Sequence, residues 1–497
     1  MRRVRGQGSA PRGAGPPALR KRGSGQRATG EGAMMADVAV IGGGISGLAA
    51  AFELKRSGRD VVVLERQVKV GGKAISERFG GFLMEHGPSS FVAECPILSV
   101  SHDLGLAAEQ IGLSDAVRRR YLVAAGRLCG IGIHPAAFLT SSYLSPNGRL
   151  RLLGEVFARP RQSAGEETVA AFSSRRFGRE FADRVMDPLV GGMFAGTAGR
   201  LSMTATFPRL VAMEREHGSI LKAVMRARLR GKPMPGRRLL SWRNGIGTLP
   251  DALAASLGPL VRVGAAVRGI GAHPRGFLID VGASGRVQAN AIVLATQPHV
   301  AAQLLEGLEP EAASAARAIE APPLAVVFLG FARHQIPHPL DGLGYLSATC
   351  EARPVNGGLF CSSMFAGRAP EGFVSLAVYV GGDRAPALAQ LSREDLIELA
   401  RKELADLLGA KGAPVMTRVR HWARGLPQYR TGHEALAQAL DGASRRRPGL
   451  FITGNYLSGV SVASCVAHAR KTAGEVDAFL RAAPSNPTIA LKVGGVS

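Results

Sequence analysis

Val38, Ala39, Val40 and Ile41 form an unbroken apolar run, the pattern of a strand buried on both faces of a sheet. A short glycine-rich stretch follows, then the helical run Leu48 to Lys55, which Gly58 ends. Val61 to Leu64 is a second apolar run, with Glu65 at its carboxyl end. These positions predict a compact βαβ unit. Further along, Leu260 to Ile270 reads as a strand-like segment, and Ala463 to Ala478 as a helix. Residues 93–215 carry helical patterns interrupted by basic segments. The longest uncharged apolar stretch, Val38 to Phe52, is broken by Gly42, Gly43 and Gly44. It falls short of the roughly 18 apolar residues that a membrane-spanning helix needs.

Composition narrows the class. The chain has 497 residues, 46% hydrophobic and 20% charged, which is the balance of a globular protein of several domains. Its 62 Lys+Arg against 38 Asp+Glu give a net charge of +24, which raises nucleic acid, anionic membrane and acidic substrates as partners. The dispersed arginines fit no helix-turn-helix, zinc finger or stacked-aromatic signature, so no nucleic-acid partner is expected. Residues 1–33 hold eight basic side chains and one acid, a net of +7 that leaves +17 on the rest. This Gly-, Pro- and Arg-rich stretch cannot bury enough surface to order itself. Three readings stay open for it: a disordered basic tail, an organelle transit peptide, or a true start at Met34 or Met35.

The five cysteines (Cys95, Cys129, Cys350, Cys361, Cys465) show no C-x-x-C spacing and read as reduced thiols. The eleven histidines show no metal-ligand spacing, so no metal is expected.

The chemistry lies between the first strand and helix. In Gly42-Gly43-Gly44-Ile45-Ser46-Gly47, Gly42 permits the tight turn, Gly44 lets backbone approach a pyrophosphate, and Gly47 allows close helix-strand packing. The helix N-terminus adds amide donors and a positive dipole. Glu65, 18 residues beyond Gly47, suits a ribose hydroxyl pair. In a chain with 64 glycines the spacing alone is weak, but between a strand and a helix, with the acid in place, it marks a dinucleotide site. Gly71-Gly72-Lys73 and Gly87-Pro88-Ser89-Ser90 follow, and a glycine pair with a cation can extend the grip on a pyrophosphate.

From here the chain resembles the flavin amine oxidase superfamily. Asp187 to Gly196, Leu201-Ser202-Met203, Glu214 to Ile220, Phe365 to Pro370, Leu426 to Tyr429 with Gly432-His433, and Gly454 to Tyr456 with Gly459 to Val462 are similar to segments of oxygen-dependent protoporphyrinogen/coproporphyrinogen oxidases, in order from about residue 37 to 480. The resemblance implies an α/β fold: an FAD-binding Rossmann-like domain, a mixed-sheet substrate domain and a helical membrane-associated domain. It implies non-covalent FAD held by Gly42 to Gly47, Glu65, Gly71 to Lys73, Gly87 to Ser90, Val267, Trp422 and Val460 to Val462. Read alone, Val267 and Trp422 could be core, and Val460-Ser461-Val462 either an ordinary loop or amides facing the flavin. Cys465 reads as a packed helix residue rather than a flavin attachment.

The implied reaction is the six-electron oxidation of protoporphyrinogen IX, in two-electron steps at one flavin, with oxygen as acceptor and hydrogen peroxide as product. Coproporphyrinogen III is the alternative substrate, and a carotenoid desaturase or amine oxidase the remoter one. An apolar macrocycle bearing propionates needs apolar walls and a cation at the rim. Arg120 matches the family's propionate position, although Arg118, Arg119 and Arg120 could equally be a solvated charge run. Leu346 and Phe365 match the family's ring-sandwiching walls or are plain core. Residues 126–135 depart from the shorter family pattern, which puts the pocket rim in doubt. The resemblance further implies a membrane surface, a homodimer and a ferrochelatase as partners, and a place on the cytoplasmic membrane or the mitochondrial inner membrane.

The expected domains are a discontinuous flavin domain (residues 35–92, 241–300 and 414–481), a helical domain (93–215), a substrate domain (216–240 and 301–413), the basic tail (1–34) and a frayed C-terminal tail (482–497).

Overall fold

The computed structural model describes residues 33–132, 137–159, 165–230 and 238–482, so the basic tail up to residue 32, the C-terminal tail beyond Ala482 and the middle of the basic run 226–238 lie outside the described residues. The architecture is mixed α/β, with two seven-stranded sheets.

The first sheet is centred on β1 (Met34–Ile41), which pairs in parallel with β2 (Val61–Leu64) and with Arg286–Leu294. The strands Val261–Arg262 and Leu450–Ile452 extend it in parallel, and Gly276–Asp280 and Gly269–His273 add antiparallel strands at one edge. The unbroken apolar runs follow from burial on both sides. Val38, Val40, Val61, Val63, Ala291 and Val293 face helix α1 (Ile45–Arg56) and the terminal helix Val462–Ala482. Their alternates Ala39, Ile41, Val62, Leu64, Ile292 and Leu294 face Pro298–Leu305 and Pro310–Ala318.

The second sheet runs in the order Met416–Trp422, Leu324–Ala332, Phe373–Gly381, Val355–Leu359, Gly342–Leu346, Arg119–Ala124, Arg127–Gly132. One face packs on the helix Arg393–Leu408. Helices between Ala137 and Leu229 build a third layer around Phe172, Phe177, Val190 and Leu201.

Three expectations need correction. The hairpin Arg119–Gly132, placed with the helical residues, belongs to the second sheet through its parallel pairing with Gly342–Leu346. Met416–Trp422, placed with the flavin domain, pairs instead with Leu324–Ala332. Ile220–Leu229, placed with the substrate domain, packs on the helix Pro208–His217. In the first two cases hydrogen-bonded partners distant in sequence decide the assignment, and local periodicity does not carry that information; in the third the partner is the helix just before it. The segment Leu260 to Ile270 is also not one strand, because a turn at Val263 and Gly264 splits it.

The helical layer is fastened by a buried ion pair. Arg176 and Glu155 are both fully buried and hydrogen-bonded to each other. Glu155 also accepts from the Ile220 and Leu221 amides at 3.0 and 3.1 Å and from the Ser219 hydroxyl at 2.5 Å, so it caps the helix Ile220–Leu229. Arg176 reaches the Ala158 and Gly218 carbonyls at 2.9 and 3.1 Å. Glu155→Gln removes the nearer of that cation's two counter-charges, with Glu214 remaining at 3.3 Å, and is expected to destabilise this layer by about 1–3 kcal/mol, read by chemical denaturation. A loss of under about 1 kcal/mol, the range of exposed pairs, would contradict that account.

Candidate active site

The nucleotide turn is built by what its glycines omit. Gly42 has φ +112°, and a Cβ there would sit 2.7 Å from the Ala295 carbonyl oxygen. A Cβ on Gly47 would sit 1.9 Å from the Gly42 carbonyl oxygen, so α1 can approach β1 only with glycine at this position. Gly44 differs: the nearest atom to a Cβ there is Gly72 Cα at 4.0 Å, which leaves backbone open to a ligand. No side chain caps α1, and its first turn carries no acid, so its leading amides suit an anion.

Glu65 is 8% exposed, and its carboxylate accepts from the Gly43 and Gln67 amides, each at 2.7 Å. The glycine pair lies directly on this turn, with the Gly71 amide donating to the Gly43 carbonyl at 2.8 Å. Lys73 donates to the Gly425 carbonyl at 2.7 Å, its ammonium lies 5.8 Å from the Trp422 ring, and burial pulls its pKa down to about 8. Gly87 lies against the Lys73 carbonyl, where a Cβ would approach to 2.1 Å. Trp422 donates its indole N–H to the His86 carbonyl at 2.8 Å, and the half-buried stretch Gly87, Pro88, Ser89 and Ser90 continues from there.

The terminal helix begins at Val462, which packs in the same apolar cluster as Ile45 of α1, while Val460 packs with the helical layer. Cys465, one turn further on, hydrogen-bonds with Ser46, and burial pushes its thiol up to about 11, which keeps it an inert thiol at neutral pH. Val267 lies two residues beyond Ala265, whose amide donates to the Glu65 carbonyl at 2.8 Å. Contacts therefore link Gly42 to Gly47, Glu65, Gly71 to Lys73, Gly87 and Trp422 into one cradle, and Pro88 to Ser90 continue from Gly87, while Val462 packs with Ile45 and Val460 with the helical layer. That cradle fits a dinucleotide: the opening is at Gly44, and Thr296 Oγ1 and His299 Nδ1, both buried beside the turn, have no protein partner.

The substrate candidates separate. Arg118, before the strand Arg119–Ala124, and Arg119, at its start, are exposed, while Arg120 is half-buried and burial holds its guanidinium below the usual range. The three are therefore not one solvated run. Leu122, two residues on, pairs with Leu346, so Arg120 and Leu346 share a sheet face. Leu346 packs on the helix Asp187–Phe194 over Gly192, where a Cβ would come within 2.5 Å of its Cδ2. Phe365 does not join them. It is 2% exposed, with the Arg368 guanidinium 5.6 Å from its ring centre, so its packing is that of a core residue.

The motif from Asp187 serves positioning. The Asp187 carboxylate accepts from the Thr349 amide and hydroxyl at 2.7 Å each and lies 3.4 Å from Arg384, which also donates to the Ser347 carbonyl at 3.0 Å. Sequence reasoning did not single out Glu85, Thr296, His299 or Arg368, because residue type alone does not separate a buried charged side chain from an exposed one.

Comparison with known proteins gives the same reading of the cradle. Residues 45–477 match the family described as flavin containing amine oxidoreductase. The chain is 32% identical to protoporphyrinogen oxidase 1, chloroplastic, of Spinacia oleracea, over 89% of this chain and 84% of the relative. It is 33% identical to coproporphyrinogen III oxidase of Propionibacterium freudenreichii, over 93% and 95% respectively. A solved structure from Exiguobacterium sp. 255-15 shares the fold with a TM-score of 0.76 at 22% identity, covering 90% of this chain and all of that one.

Two outcomes follow for the cofactor. Gly47→Ala is expected to leave the purified protein colourless or unfolded, read from flavin absorbance per mole of protein; a normally loaded variant would refute the close-packing account. A diphosphate beside Lys73 favours its ammonium form, so binding takes up a proton at pH values above about 8. FAD affinity should therefore fall as pH rises from 8 towards 10, by at most about tenfold per pH unit. Titration of apoprotein at pH 7.5 and 9.5 checks this, and Lys73→Met should flatten the profile. An equal slope in both proteins would remove Lys73 from the anion site.

Proposed function

The chain belongs to the flavin-containing amine oxidoreductase family, and on that premise we propose that it oxidises a porphyrinogen, protoporphyrinogen IX in the first place and coproporphyrinogen III as the alternative. The protein is an oxidoreductase, and FAD is its cofactor. The observation that carries the substrate reading is near-equal identity to relatives named for each porphyrinogen, 32% and 33%, over at least 84% of every chain compared.

When bound, FAD supplies the two-electron acceptor. The chain's own residues do the rest. Gly44 and the α1 amides seat the diphosphate, Glu65 takes the ribose, and Val460 to Val462 place the head of the terminal helix at the flavin. Arg120 offers a guanidinium to a propionate, and Leu346 offers the adjacent apolar surface to the ring. Burial of Arg120 strengthens that pairing, because a half-buried cation is less screened than an exposed one. Molecular oxygen is the proposed final acceptor, with hydrogen peroxide as product.

The proposed site of action is an anionic membrane surface on the cytoplasmic side. What supports it is a patch on the helical layer: Leu150, Leu153, Phe157, Met225 and Leu229 are exposed, Phe157 by 87% and Leu229 by 85%. Lys222, Arg226 and Arg230 are exposed beside it. No helix among the described residues is long and apolar enough to cross a membrane, so the contact proposed is peripheral.

Porphyrin fluorescence with each porphyrinogen in air tests the reaction, and a yellow protein inert on both would overturn it. Arg120→Ala is expected to raise KM by about tenfold or more, the worth of one charge-assisted hydrogen bond, with flavin content unchanged. Unchanged kinetics would remove Arg120 from the site. Co-sedimentation with anionic vesicles at low salt tests the surface. Phe157→Ser should weaken it by about tenfold, since burying one such ring contributes about 1.5–3 kcal/mol. Equal recovery with and without vesicles would refute membrane binding.

A further inference from the structure

Arg368 is 2% exposed, among the largest fully buried side chains of the described residues. It lies just after the short helix Cys361–Met364, in a loop between strands of the second sheet, yet its guanidinium reaches into the flavin-binding half. It donates to the Ser241 hydroxyl at 2.8 Å, the Trp242 carbonyl at 3.1 Å and the Arg243 carbonyl at 3.0 Å. It also lies 3.5 Å from a Glu85 carboxylate oxygen.

These partners are the two ends of one loop. Glu85 closes the strand Phe82–Glu85 directly before His86 and Gly87 to Ser90. The strand Leu239–Trp242 pairs with Phe91–Val92 directly after Ser90, and the Trp242 ring stacks on Phe91 at 4.3 Å. Glu85 is itself held by the Ser76 hydroxyl at 2.5 Å and the Ile246 amide at 3.1 Å. One guanidinium thus spans the base of the loop, while Trp422, also from the second sheet, takes the His86 carbonyl near the loop's start. An arginine suits the task because its planar fork addresses several fixed acceptors at once, which the point charge of lysine cannot do.

We propose that Arg368 is a positioning residue for the cofactor: it holds the base of the Gly87 to Ser90 loop at a fixed spacing and ties that loop to the second sheet. The Phe365 ring beneath the guanidinium fills the space under it and keeps water from competing for the acceptors. Arg368 touches no flavin in this scheme and acts through the loop. The inference rests on the assignment of FAD to the cradle, and it does not depend on which porphyrinogen is the substrate.

The test is FAD affinity and the flavin absorption spectrum of reconstituted holoprotein, measured for Arg368→Lys, Arg368→Gln and Ser241→Ala. Ser241→Ala removes one acceptor and leaves the buried cation its other partners, so it remains informative should an Arg368 variant fail to fold. The expected result is FAD binding weakened about two- to tenfold in Ser241→Ala, the range for one hydrogen bond, and further in Arg368→Gln. Arg368→Lys should recover only part of the loss, and the resolved shoulders of the bound-flavin spectrum should broaden in step with affinity. Glu155→Gln, which loosens the distant helical layer, serves as the control for general destabilisation and should leave FAD affinity at the wild-type value. Wild-type affinity and spectrum in both Ser241→Ala and Arg368→Lys would overturn the proposal, as would equal losses in Glu155→Gln. A wild-type protein that binds FAD but oxidises no porphyrinogen would count against the substrate reading alone.

Discussion

The structure depends first on a contact that no side chain could survive. The start of α1 lies so close to the end of β1 that a Cβ at Gly47 would sit 1.9 Å from the Gly42 carbonyl oxygen. This approach sets the direction of α1, and α1 in turn sets where its first amides point. It also brings the Gly43 amide onto Glu65, at 2.7 Å, which fixes the carboxylate proposed for the ribose relative to the glycine turn. The terminal helix packs along α1 and inherits the same alignment, so its first residue, Val462, joins the cluster of Ile45 from more than 400 residues away. A single backbone approach therefore propagates into the placement of segments from both ends of the chain.

The second constraint is the joint between the two sheets. A cofactor held by one sheet and a substrate held against the other react only at a fixed spacing, and a difference of about 1 Å can matter to rate. Here the joint is polar rather than purely apolar. The Trp422 indole N–H takes the His86 carbonyl, Lys73 takes the Gly425 carbonyl, and Arg368 takes acceptors on Leu239–Trp242 and Arg243. Hydrogen bonds are directional where hydrophobic contact is not, so such a joint resists sliding as well as separation.

How much of this was legible in the sequence depended on the range of the information. The βαβ unit and Glu65 could be read because their signals lie within about 30 residues: two apolar runs, three glycines and an acid at the right spacing. The hairpin Arg119–Gly132 and the strand Met416–Trp422 could not be assigned locally, since what decides them is pairing with Gly342–Leu346 and Leu324–Ala332. Arg120 shows the limit most clearly. In sequence it is one of three identical neighbours; Arg118 precedes the strand and is exposed, and alternation within the strand turns Arg119 outward and Arg120 inward. Phe365 shows the converse. The resemblance offered it as a wall with plain core as the alternative, and it is buried against Arg368.

Arginine also explains why net charge was a blunt guide. Arg176, Arg368, Arg384 and Arg353 are buried or nearly so, and each lies by a carboxylate: Glu155, Glu85, Asp187 and Glu403. Burying an unpaired guanidinium would cost several kcal/mol, so each interior arginine draws an acid inside with it. These pairs contribute nothing to the net charge, and the acids they take up are unavailable to balance the surface. The excess of +24 therefore lies outside these pairs, and its exposed part includes Lys222, Arg226 and Arg230 beside the apolar patch. In the proposed membrane contact, a field placed there would attract anionic surfaces at long range, and the exposed Phe157 and Leu229 would then contribute short-range attachment that salt does not screen.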